Sequence, residues 1–319
     1  MNNKKFKMNR RDLLKNGLLT AAGMSVLESN AQPSLTKKKK SNFTYCLNTS
    51  TIRKQNLGLV GEIKTAAKVG FDGIEIWMNT LETYVKGGGK LADIRKLAND
   101  SGIRIEDSIG FAAWVVDDDT KRNAALEQIK REMDMLAQIG CKRIAAPPFG
   151  ATNEPGLNLY KAAERYVKVL DLGKQMGVLP QLEMWGFSKN LHLFGETLLV
   201  ASQTGHSEAI ILADVYHLVR GGSPINALEF VNGSKIQVFH MNDYPAIDDK
   251  TKLTDAMRVM PGDGVAPLNQ ILQTLNAKGT PIVLSLEIFN EDVWKMDAIA
   301  ACTLGLAKLK GSVAKALQS

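Results

Sequence analysis

Ala209-Ile210-Ile211-Leu212-Ala213-Asp214 is a short apolar run closed by a single carboxylate, and it reads as a buried strand. Seven further short apolar or β-branched runs read as strands: Phe43–Leu47, Gly73–Trp77, Ile103–Glu106, Lys142–Ala146, Leu179–Glu183, Ile236–His240 and Ile282–Glu287. The segments between them carry the helical period instead. Leu59, Val60, Ile63, Ala66, Ala67 and Val69 fall on one helix face that stops at Gly70, and Leu126, Ile129, Met133, Leu136 and Ile139 do the same before Gly140. Strands separated by helices pair in parallel. Eight such units, spaced by roughly thirty residues in a core near the ~250 residues usual for the fold, predict an α/β protein with a (β/α)8 TIM barrel. An open dinucleotide-binding sheet is the poorer match, because Asn48-Thr49-Ser50-Thr51-Ile52 follows the first strand where a Gly-rich fingerprint would stand.

The remaining composition divides the chain in two. The formal net charge is +7 over 319 residues, but residues 1–40 carry ten Lys and Arg against Asp12 and Glu28. Residues 41–319 carry thirty basic against thirty-one acidic side chains. The basicity therefore belongs to a leader, and a phosphate-binding surface for nucleic acid is not expected on the core. In that leader, Asn9-Arg10-Arg11-Asp12-Leu13-Leu14-Lys15 resembles a twin-arginine signal ahead of the apolar stretch Leu13–Leu27, with Ser29-Asn30-Ala31 as a cleavage site. Export to the periplasm is the expectation, with a basic arm on a cytoplasmic protein as the alternative. Residues 41–319 form the single catalytic barrel, with no integral membrane segment. Cys46, Cys141 and Cys302 lie in or beside apolar runs without metal or redox spacing and read as buried thiols.

Barrel chemistry sits at the carboxyl ends of the strands. Strands five to eight end in Glu183, Asp214, His240 and Glu287. One acid closing one strand is most simply a helix N-cap or a rim group. Three acids and an imidazole converging on one axis need a compensating cation, and oxygen donors with one nitrogen suit a single Mn²⁺, Mg²⁺, Co²⁺ or Zn²⁺.

Leu182-Glu183-Met184-Trp185, Ala213-Asp214-Val215-Tyr216-His217, Phe239-His240-Met241-Asn242-Asp243 and Leu286-Glu287 resemble, in order and spacing, the xylose isomerase-like superfamily of sugar phosphate isomerases and epimerases. The resemblance spans about residues 43–310. It implies that Glu183, Asp214, His240 and Glu287 hold the metal, that Glu183 and Glu287 exchange protons with substrate, and that His217 touches a substrate oxygen. It further implies a metal-dependent isomerase or epimerase that moves a proton through an enediolate on a free sugar. The alternative is a lyase or dehydratase acting on a keto-sugar, keto-inositol or 3-keto-glycoside. Trp185-Gly186-Phe187-Ser188-Lys189 and Tyr244-Pro245-Ala246 depart from the ketose 3-epimerases, which carry a glutamate and an arginine in those stretches, so a different sugar or step is expected.

Further substrate contacts are expected from Arg258 in the turn before Pro261-Gly262-Asp263-Gly264, from Arg220, Trp185 and Lys189, and from Arg53. Trp77 and Trp114 are candidate sugar-stacking rings, and Glu75 is placed to orient His240 or a water. The partner is a small carbohydrate, with a homo-oligomer as the expected assembly. A sugar-binding protein without turnover would not need paired carboxylates on a metal. An apurinic endonuclease would need more histidines than the four in this chain and a basic groove.

Overall fold

The structure, a computed structural model, describes residues 41–318, and the leader read over residues 1–40 lies outside them. Eight strands alternate with helices: β1 Phe43–Asn48, β2 Gly73–Trp77, β3 Arg104–Ile109, β4 Arg143–Ala146, β5 Leu179–Glu183, β6 Ile210–Asp214, β7 Val238–Met241 and β8 Ile282–Leu286. The helices are α1 Gly58–Val69, α2 Met78–Lys86, α3 Leu91–Asp100, α4 Asp119–Ile139, α5 Leu159–Met176, α6 Phe194–Gln203, α7 Val215–Gly221, α8 Leu268–Ala277, α9 Glu291–Trp294 and α10 Ala298–Gln318.

The strands pair in parallel in the order β3-β2-β1-β8-β7-β6-β5-β4, and β4 packs beside β3 to complete a (β/α)8 barrel. At that seam side chains bridge the two strands. Arg143 on β4 donates from Nη1 to Glu106 O at 3.0 Å and to Glu106 Oε2 at 3.2 Å on β3, while its Nε donates to Gln237 Oε1 at 2.8 Å.

Local sequence explains the outer layer. The apolar face of α1 buries Leu59, Ile63 and Ala66, and the helix ends at Gly70, whose φ of 93° is the left-handed geometry that a C-cap requires. Gly140 ends α4 in the same way at φ 86°. Each fully buried Leu or Ile on such a face contributes about 1.5–3 kcal/mol. The three cysteines are buried and free. No helix among the described residues is long and apolar enough to cross a membrane.

Inside the barrel, Cys46, Ile109, Ala145, Leu212, Val238 and Val283 form an apolar plug. The register sets a polar layer beyond it, with Asn48 level with Glu75, Asp214 level with His240, and His240 level with Ser285. The third strand departs from the expected end at Glu106. A bulge places Ile74 opposite Ile105 but Glu75 opposite Asp107, so Glu106 is the extra residue and Asp107 enters the interior. Gln181 donates to the Asp107 carboxyl there. Burial, with Glu75 close by, raises the pKa of Asp107 well above the carboxylate range.

Candidate metal centre

Glu183 closes β5, Asp214 closes β6, His240 lies in β7 and Glu287 follows β8, so all four side chains arrive at the carboxyl end of the barrel. All are buried. Ligand atoms of Asp214, His240 and Glu287 lie within 4.8 Å of one another. His240 Nδ1 stands 3.2 Å from Glu287 Oε2 and 3.7 Å from Asp214 Oδ2, makes no hydrogen bond, and so offers a free lone pair to a cation once deprotonated. Glu183 is set beside this trio, and its Oε2 is also buried without a partner. Orphaned donor atoms of this kind, on an imidazole and a carboxylate facing two more acids, fit a divalent ion.

Neighbouring polar groups hold the ligands in place. His240 Nε2 lies 2.9 Å from Glu75 Oε1, which fixes the ring and leaves Nδ1 as the ligating nitrogen. Ser285 donates to Glu75, and Asn48 Nδ2 reaches both Glu75 Oε2 at 2.9 Å and Glu287 Oε1 at 3.1 Å. Asn242 Nδ2 donates to Asp214 Oδ2 at 3.0 Å. Asp214 has two functions: its Oδ1 caps α7 by accepting from the His217 backbone N–H at 2.9 Å, while Oδ2 faces the centre.

Arg258 brings a buried guanidinium to the site. Its Nη1 donates to Asp214 Oδ2 at 2.9 Å and to Glu287 Oε2 at 2.7 Å, and its Nη2 donates to Asp255 Oδ1 at 2.6 Å. Burial alone would raise Glu287, but His240 and Arg258 hold it well below the usual carboxylate range. Glu183 lacks such a partner: burial pushes it up to about 8 against the pull of His240. His217 Nδ1 lies 3.2 Å from the Gly186 N–H and its Nε2 lies 3.4 Å from Arg258 Nη2, two donors of which the neutral ring accepts from one. Burial and the Arg258 charge keep that ring neutral by lowering its pKa well below the ordinary value. Gly186 is required at this approach, since a Cβ there would collide with the His217 carbonyl and the Gly221 amide.

Above the acids lies a cavity of about 320 Å³ walled mainly by rings. Trp77 packs on Phe111 at 5.3 Å, Phe111 on Trp185 at 6.2 Å, and Trp185 stacks on Phe187 at 5.2 Å. Phe187 meets His217 at 5.7 Å, the Arg258 guanidinium lies 4.9 Å from the centre of Phe289, and Phe289 returns to Trp77 at 6.0 Å. With the His217–Arg258 contact these seven side chains close into a collar around the opening.

Comparison with known proteins agrees with this architecture. Residues 63–309 match the family described as xylose isomerase-like TIM barrel. The chain belongs to that family. Among relatives, it is 26% identical over 257 residues to an inosose isomerase of Bacillus velezensis, covering 79% of this chain and 91% of that protein. It is 25% identical over 241 residues to a 3-dehydroshikimate dehydratase of Pseudomonas aeruginosa, covering 72% of this chain but 36% of that longer protein. The crystal structure of the IolI protein with a bound zinc atom superposes with a TM-score of 0.78 at 25% identity, covering 85% of this chain and 98% of that one. A divalent metal is thus the cofactor of this xylose isomerase-like barrel, and the chain is an enzyme.

Of the residues singled out in the sequence, the structure gathers Glu183, Asp214, His240, Glu287, His217, Arg258 and Trp185 at this centre, with Glu75 behind His240. Two it places elsewhere. Arg220 donates from Nε to Leu253 O at 3.0 Å and does not line the cavity, and Lys189 is exposed with its backbone N–H on Thr152 O. Trp114 is wall packing, buried against Tyr166 with its indole N–H on Pro147 O. Arg53 does reach the cavity rim, its guanidinium 4.7 Å above Trp77. Asp263 pairs with Lys308, while Asp243 shapes the turn by accepting from the N–H groups of Gly262, Gly264 and Ala266.

Sequence reasoning missed Phe111, Phe187 and Phe289. The signal was present for Phe289, which stands two positions after Glu287 as Trp77 does after Glu75 and Trp185 after Glu183; Phe111 and Phe187 follow no such spacing. Period two continues past the strand ends and stacks an aromatic wall directly above the acidic floor.

Proposed function

We propose that this protein is a divalent-metal-dependent isomerase or epimerase that moves a proton at the carbon beside the carbonyl of an unphosphorylated sugar or cyclic polyol ketone. The carrying observation is the convergence of Asp214, His240 and Glu287 within 4.8 Å, with two buried carboxylates in opposite settings: Glu183, whose Oε2 has no partner, and Glu287, held by Arg258 and Asn48. The inosose isomerase relatives support a cyclic polyol ketone as substrate.

Asp214, His240 and Glu287, with Glu183 beside them, would hold a divalent ion, which when bound would supply Lewis-acid activation of the C–H next to a substrate carbonyl. Glu183 takes the proton on its buried, unpartnered Oε2. Glu287, anchored by Asn48 and Arg258, presents the second carboxylate for proton return, and His217, on the cavity wall, contacts a substrate oxygen. The ring collar keeps bulk water from the carbanionic stage, which favours return of the proton to substrate. Among the described residues lining the cavity the guanidiniums are Arg53 and Arg258, and Arg258 is already paired with three carboxylates. That leaves little to hold a phosphate dianion and favours an unphosphorylated substrate.

A second reading is elimination of a β-substituent after the same proton abstraction, favoured by the dehydratase relatives. Completing the proposal, the twin-arginine-like leader directs the enzyme to the periplasm, where free sugars are scavenged, and the barrel works as a homo-oligomer. Incubation in D₂O with Mn²⁺, Co²⁺, Mg²⁺ or Zn²⁺ and a panel of ketoses, aldoses, inososes and 3-keto-glycosides tests the chemistry. Metal-dependent deuterium uptake lost in Glu183→Gln supports it, and the product separates isomerase from lyase. Absence of exchange with every metal and substrate overturns it.

A further inference from the structure

Two rings stand outside what the chemistry at the floor requires. Phe149 is 41% and Phe187 40% exposed, unusual for phenyl groups, and both belong to the loops that follow β4 and β5. Phe149 packs outside the collar on Phe111 at 5.8 Å, and Phe187, a collar ring, stacks on Trp185 at 5.2 Å; Phe111 and Trp185 are themselves neighbours at 6.2 Å, so both exposed rings lie on one side of the opening.

The two loops are buckled together. Asn190, itself buried, donates from Nδ2 to Ala151 O at 2.6 Å and to Glu154 O at 2.7 Å and accepts from the Leu157 N–H at 3.0 Å. Lys189 N donates to Thr152 O at 2.8 Å, and Trp185 N donates to Leu191 O at 3.1 Å. Leu191 is fully buried at φ 50°, a left-handed conformation that a branched side chain adopts only under constraint. Exposed rings on loops pinned this firmly form a rigid surface.

We propose that Phe149 and Phe187 form an outer subsite that stacks on the second ring, sugar or aryl, of a glycoside whose first ring occupies the cavity. The inference rests on the unphosphorylated-sugar reading above and extends it. Ring faces suit the occupant: a pyranose or aryl face supplies apolar C–H or π surface without charge, and aromatic stacking gains affinity when the platform is already ordered. The outer platform itself is made of phenyl rings, which have no donor for an extended polar chain.

The probes are methyl β-D-glucoside and phenyl β-D-glucoside, which share one sugar ring and differ in the aglycone. Binding to the full-length metal-loaded protein is followed by calorimetry and by the fluorescence of Trp77 and Trp185. The phenyl glucoside is expected to bind about tenfold more tightly, corresponding to about 1.4 kcal/mol. Phe149→Ala is expected to remove most of that ratio, and Asn190→Ala to reduce it by loosening the platform while circular dichroism keeps the barrel signature. Equal affinity of the two glucosides, a ratio that survives Phe149→Ala and Phe187→Ala, or binding of neither overturns the subsite. If the two Phe variants change the oligomeric state by light scattering and leave the ratio intact, the rings are a subunit contact and the proposal fails. Deuterium exchange on single-ring substrates is independent of this ratio, so failure of the subsite and failure of the proton-transfer reading are distinguishable.

Discussion

Glu75 Oε1 and His240 Nε2 stand 2.9 Å apart with both side chains fully buried, and this pair decides which imidazole nitrogen faces the centre. A carboxylate behind a ligating histidine fixes its tautomer and raises its basicity. Glu75→Gln keeps an acceptor but removes the charge, so metal affinity is expected to fall about tenfold; Glu75→Ala removes both and is expected to cost about 100-fold. Calorimetric titration with Zn²⁺ or Mn²⁺ checks the order, and unchanged affinity in the Ala variant would refute the role.

Glu183 is the proton acceptor in the proposed reaction, and its ionised form is the active one. Activity is therefore expected to rise with pH through the pKa of Glu183, at or below about 8 because a bound cation adds its own lowering. Glu183→Gln is expected to lower solvent-deuterium exchange by about 10²–10⁴ and to abolish that limb of the profile.

Arg258 places one buried positive charge between Asp214 and Glu287. Removing one partner of such a buried pair costs about 3–5 kcal/mol. Arg258→Met is accordingly expected to be strongly destabilised in EDTA and to recover more of its melting temperature on Mn²⁺ addition than the wild type does. Equal metal-induced shifts in differential scanning fluorimetry would contradict this.

Glu62 on α1 is buried with Oε2 unpartnered, and burial raises it from 4.5 to about 7. The native state holds this proton across pH 4.5–7 while the unfolded chain has lost it, so the contribution of Glu62 to stability falls as pH rises through that window. Glu62→Gln is expected to stabilise by about 2 kcal/mol at pH 8 and to change little near pH 4, read from melting curves at both pH values.

The barrel was legible because the buried strands are apolar runs and helices such as α1 and α4 end at a glycine, Gly70 and Gly140. The candidate ligands Glu183, Asp214, His240 and Glu287 were legible because they stand at the ends of those runs. Asp107 was not, because the bulge that turns it inward is a property of two strands meeting and leaves no mark in either alone. Arg220 illustrates the opposite failure: it lies three residues beyond His217, but its guanidinium is held by the Leu253 carbonyl on the loop after β7. The Asn190 buckle joins atoms more than thirty residues apart, a relation that sequence spacing does not carry.

The alternation of acid and ring on β2, β5 and β8 gears two properties to one piece of backbone. Replacing Trp77, Trp185 or Phe289 reshapes the wall while leaving Glu75, Glu183 and Glu287 in register beneath it. Selectivity is thereby free to drift over generations with the proton-moving floor conserved, and new substrates become reachable through single substitutions two residues downstream of an untouched acid.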